Sequence, residues 1–179
     1  YQGVALPVGD IALKVNITGL KGGHSAGAID QGRGNAGKLM ARLLNAVSLK
    51  TKTVVAKMYG GQKMNAIMSE MEAVISVEDL DVALKAIEKT VADIKEELRV
   101  TDAGFVCEVA ECEAPEKMLD ATQSKRMIQF VLAIPHGVRD MSFEIEDLVL
   151  NSNNLAAVHL REDEIFLWTM GRSGDDSRQ

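Results

Sequence analysis

Leu80-Asp81-Val82-Ala83-Leu84-Lys85-Ala86-Ile87-Glu88-Lys89-Thr90-Val91-Ala92-Asp93-Ile94-Lys95-Glu96-Glu97-Leu98 is the stretch whose reading decides the fold. Leu80, Leu84, Ile87, Val91, Ile94 and Leu98 recur at three- and four-residue steps, the stripe of an amphipathic helix. Glu88, Lys89, Asp93, Glu96 and Glu97 fall away from that stripe, as a solvated face requires. Asp79 and Asp81 suit the positive end of the helix dipole, so the helix spans 79–99. Before it, 71–77 reads as a strand; after it, Gly104 introduces a strand on which Phe105, Cys107 and Val109 share a face.

Further out, 52–59 reads as a strand ending at Gly60-Gly61. Ala36, Leu39, Met40, Leu43, Leu44 and Val47 mark a helix over roughly 34–48. Residues 11–18 alternate, with Ile11, Leu13, Val15 and Ile17 on one side of a half-buried strand. Strand, helix, strand, strand, helix, strand is the ferredoxin-like split βαβ order, an antiparallel sheet with both helices on one face. The fold class is therefore α+β, with 1–112 as the ferredoxin-like core. After Pro115, residues 113–179 form a second αβ unit, expected to be truncated. It has a helix over 124–133, strands near 141–146, 154–161 and 164–170, and a polar tail from Gly171 that ends without an element.

The chain has 179 residues, a net charge of -6 and two cysteines, Cys107 and Cys112. One domain of this size can bury a core without disulfides. The acidic balance argues against nucleic acid and anionic membrane as partners. No apolar run approaches the ~18 residues of a membrane span. No signal peptide is visible, and with so few cysteines the expected location is cytoplasmic.

Gly32-Arg33-Gly34-Asn35-Ala36-Gly37 spells a dinucleotide fingerprint by letter. However, it stands a dozen residues past the preceding strand, and no acidic residue closes the next one. It reads as a small-residue helix start. His24, His136 and His159 lack partners at metal-ligand spacing, so no metal site is expected within the chain. His24 lies in Gly22-Gly23-His24-Ser25-Ala26-Gly27, a loop with little core around it. Chemistry alone leaves two readings for it: a locally satisfied loop histidine, or a hydrogen-bond donor to a developing oxyanion.

Several blocks, in order, resemble the lid domain of aminoacyl-histidine dipeptidases, a group of di-zinc exopeptidases. They are 17–27 with 32–44, then 60–67, 135–142, 151–155 and 172–177. The resemblance implies a metal-dependent dipeptidase acting on Xaa-His dipeptides, whose two zinc ions (or similar divalent metals) bind in a catalytic domain outside this chain. By itself the chain is then expected to be inactive and to hold no cofactor. Its implied partners are its own catalytic domain, a second subunit of a homodimer and the dipeptide substrate. The resemblance further implies that His24 reaches the active site, often the partner subunit's, and steadies the tetrahedral intermediate, and that Asn65 helps hold substrate. Three departures stand out. Ala26 replaces a glycine, Met68 replaces a proline, and Val77-Glu78-Asp79 lacks the arginine that grips the substrate carboxylate in many relatives. Arg172 and Arg139 are the candidates for that grip, although both also suit a solvated surface. The alternative is a non-catalytic ferredoxin-like oligomerisation or small-ligand-binding module.

Overall fold

The computed structural model describes residues 11–160 and 164–174. The elements are β1 (Ile11–Thr18), β2 (Gly23–His24), α1 (Ala36–Ser48), β3 (Thr53–Gly60), β4 (Ala66–Ile67) and β5 (Met71–Val77). After them come α2 (Leu80–Glu97), β6 (Val106–Glu113), α3 (Ala121–Ala133), β7 (Gly137–Met141), β8 (Val149–Leu160) and β9 (Ile165–Ser173).

The main sheet runs β6-β1-β5-β3-β8, with β7 and β9 also paired to β8. Every pairing is antiparallel. Its first four strands are the ferredoxin-like order expected from the sequence, and α1 and α2 lie together on one face. Leu13, Val15 and Ile17 of β1 point into a core shared with Met40, Leu43 and Leu44 of α1 and Ile87 and Ile94 of α2. The other sheet face carries charged and aromatic side chains. There Glu72 bridges Lys14 and Lys57, each at 2.6 Å, and the two ammonium groups hold its carboxyl below the usual range. Tyr59, His159, Phe166 and Trp168 continue that face as a row of stacked and edge-on rings.

Local chemistry sets the helix starts. Asn35 Oδ1 accepts from the Gly37 and Lys38 N–H groups at the start of α1, and Asp79 caps α2 through Val82 N–H. Asp120 and Gln123 form a reciprocal capping box on α3. The Gly32–Gly37 run is thus the entry to α1, with Gly34 packed against Leu20, Leu39 and Leu98. Glu97 is more than a solvated side chain, since it pairs with Arg42 of α1 across the two helices.

Two expectations need correction. The strand read near 141–146 lies earlier, at Gly137–Met141. Ser142 Oγ then accepts from Glu144 and Ile145 N–H to start a turn. Gly171, Arg172 and Ser173, read as an unstructured tail, complete β9 because β8 is long enough to pair with them. Past Glu113, β8 joins the edge of β3, and α3 packs on α1. The acidic turn at 161–163 and the tail from 175 lie outside the described residues.

Candidate functional site

The loop from Leu20 to Gly34 carries His24, and a two-residue ladder places it. β2 pairs with β4 so that His24 stands opposite Ala66, while Ser25 N–H donates to the Asn65 carbonyl at 2.9 Å. His24 and Asn65, distant in sequence, therefore sit beside each other, and both are exposed. His24 Nδ1 accepts from Ala26 N–H at 3.2 Å. In the neutral ring the proton then sits on Nε2, which is left as a donor toward solvent. Arg33 anchors the loop internally by donating to the Gly22 carbonyl at 2.6 Å.

Arg139 and Arg172 also come together. Val138 and Arg172 both face Ser152 across β8, one from β7 and one from β9. The two arginines, with Asp140, Asn151, Asn153 and Ser173, line a cavity of about 660 Å³. Asn151 Nδ2 donates to Asp140 at 2.7 Å, which orients that carboxylate at the cavity wall. Both guanidinium-bearing residues are exposed. Such a pair can receive a carboxylate through forked N–H bonds.

The histidine ladder and the arginine cavity are fastened together. Asn154 Nδ2 donates to the Ala66 carbonyl at 2.8 Å, and Ser25 Oγ lies 3.9 Å from Met170 Sδ. Ala28, Ile29 and Ile67 pack against Val138 and Val149 in a small apolar cluster of their own. Deeper in, His136 Nδ1 accepts from Leu155 N–H at 3.3 Å, and burial, then the nearby Lys38 charge, push its pKa down to about 4. Burial pushes the Cys107 thiol up to about 11, so it is no activated nucleophile. Among the described residues, no group of three His, Cys, Asp or Glu could hold a metal ion. Nor is any helix among them long and apolar enough to cross a membrane.

Sequence reasoning singled out all four of these residues but not their pairing. A two-residue ladder has no periodicity to read, and β7 was placed too late. It missed His136 and Asn35, whose polar atoms meet only through tertiary contacts.

A ferredoxin-like βαββαβ sheet, extended by three strands, thus carries an exposed histidine on a glycine-rich loop. Residues 15–102 match the model of the peptidase dimerisation domain. It is 31% identical over 176 residues to the cytosol non-specific dipeptidase of Escherichia coli (strain K12), covering 97% of this chain and 36% of that protein. It superposes on the crystal structure of aminoacylhistidine dipeptidase from Vibrio alginolyticus with a TM-score of 0.93 and 29% identity. That match covers 99% of this chain and 36% of the other. The chain thus spans about a third of the length of these relatives, both of which are dipeptidases.

Proposed function

We propose that this chain is the lid of a dipeptidase that hydrolyses Xaa-His dipeptides in the cytoplasm. In this reading 1–112 is the lid core and 113–179 the part that carries the arginines. His24 Nε2–H would donate to the oxyanion that develops on the scissile carbonyl, and Asn65 beside it would hold the substrate. Arg172, Arg139 or both would take the free carboxylate of the dipeptide. The observation that carries this is the pairing of His24 with Asn65, with Nδ1 already engaged by Ala26 N–H and Nε2 left for a ligand.

Two zinc ions, implied by the resemblance, do not fit the described residues, which offer no ligand cluster. In this proposal they belong to a catalytic domain outside the chain. A second subunit would meet the β6 edge, where β1 is the only partner among the described residues. Beside that edge, Leu84 and Val91 of α2 form an apolar groove with Cys107 and Val109.

The test is His24→Ala in the full-length enzyme. Losing one oxyanion donor lowers turnover on the order of 100–1,000-fold. Metal content should stay unchanged. Normal turnover would refute the role, and loss of metal would make His24 a ligand instead.

A further inference from the structure

We propose that Asp102 is the positioning residue of the His24 loop, acting as a clamp that closes the loop at its base. Asp102 is 1% exposed, in the turn that follows α2. Its Oδ1 accepts from Lys21 N–H and its Oδ2 from Gly34 N–H, both at 2.7 Å. Lys21 and Gly34 are where the chain leaves and re-enters the core on either side of His24. One buried carboxylate therefore ties both ends of the loop, one oxygen to each.

The clamp is itself held. Asp102 N–H donates to the Leu98 carbonyl at 2.8 Å, and its own carbonyl accepts from Phe105 N–H at 2.9 Å. The turn also rests directly on the loop base. Gly19 has φ +75°, and a Cβ on it would fall 1.9 Å from the Gly104 carbonyl oxygen. Bonds from backbone N–H to a buried carboxylate are charge-assisted and short, hence stiff. Between the clamped ends the loop is also held by the β2–β4 ladder, the Ser25–Asn65 and Ala28–His24 backbone bonds, the Arg33–Gly22 bond and the packing of Ala28 and Ile29. Asparagine at 102 could not replace the clamp. It offers one acceptor oxygen, and its amide would point a donor at a second N–H.

This inference rests on the oxyanion role of His24, because a misplaced donor matters only if the donor works. Displacement of about 1 Å in a catalytic group can cost about 100-fold in rate. The experiment is a double-mutant cycle in the full-length enzyme with Asp102→Asn, His24→Ala and the pair. Asp102→Asn alone should lower kcat about 10- to 100-fold, with KM and metal content nearly unchanged. In the His24→Ala background it should cost less than about three-fold, since no donor is left to misplace. Normal kcat in Asp102→Asn, or the same fold-loss in both backgrounds, would overturn the clamp while leaving the role of His24 standing. Normal kcat in His24→Ala would overturn the role of His24 first, and the clamp with it. If Asp102→Asn does not fold, amide exchange in the unaltered enzyme decides. The Lys21 and Gly34 amides should be protected together, and free exchange of either contradicts the clamp.

Discussion

Asn35→Ala is expected to destabilise this domain by about 2–4 kcal/mol, a sum of two separable losses. Asn35 is 3% exposed and uses both ends of its amide. Its Oδ1 accepts from Gly37 and Lys38 N–H at 3.1 and 3.2 Å, and losing that cap costs about 1 kcal/mol. Its Nδ2 donates to the buried Leu155 carbonyl at 2.8 Å, and stranding that acceptor costs about 1–3 kcal/mol. For a domain of this size the sum lowers the melting temperature by roughly 4–15 °C. Asn35→Ser separates the two losses, because a serine can cap α1 but is too short to reach β8. Urea unfolding followed by circular dichroism should rank wild type, then Asn35→Ser, then Asn35→Ala, with the serine recovering about 1 kcal/mol. An alanine variant within 0.5 kcal/mol of wild type would refute the reasoning, as would a serine variant that regains full stability.

Other measurements test the same geometry. Gly61 has φ +80°, and a Cβ there would lie 1.9 Å from the Ala156 carbonyl oxygen; Gly61→Ala should therefore cost at least about 2 kcal/mol by the same unfolding assay. His136 titrates at about 4 when folded against 6.5 unfolded, so the unfolded chain binds the proton first as pH falls. Its contribution is complete above about pH 6.5 and lost on the way down to about 4. Between pH 7.5 and 4.5 wild type should lose about 2.5 kcal/mol more than His136→Gln, and parallel pH profiles would contradict the burial of this ring. In the full-length enzyme, Arg172→Met or Arg139→Met should raise KM about 10- to 100-fold for a free dipeptide and much less for its C-terminal amide. Equal effects on both substrates would remove that arginine from carboxylate recognition.

The long strands and helices of residues 11–113 and their order were legible along the chain. The β1 alternation and the α1 and α2 stripes each reappear within two residues of the range read from them. Burial acts on neighbouring residues with period 2 or 3.6, so it leaves a local trace. The glycine-flanked His24 was legible for the same reason, because no apolar neighbours stand near it in sequence. Tertiary structure alone decided which residues meet. Strand pairing set His24 beside Asn65 and brought Arg139 and Arg172, on the two strands flanking β8, to one cavity. It also drew β7 back from 141–146, where a polar alternation had no partner to confirm it. Asp102 carries no signal along the chain, yet both of its oxygens meet N–H groups far away in sequence. A buried carboxylate must find donors wherever the fold can supply them, and no spacing along the chain records where those donors will be.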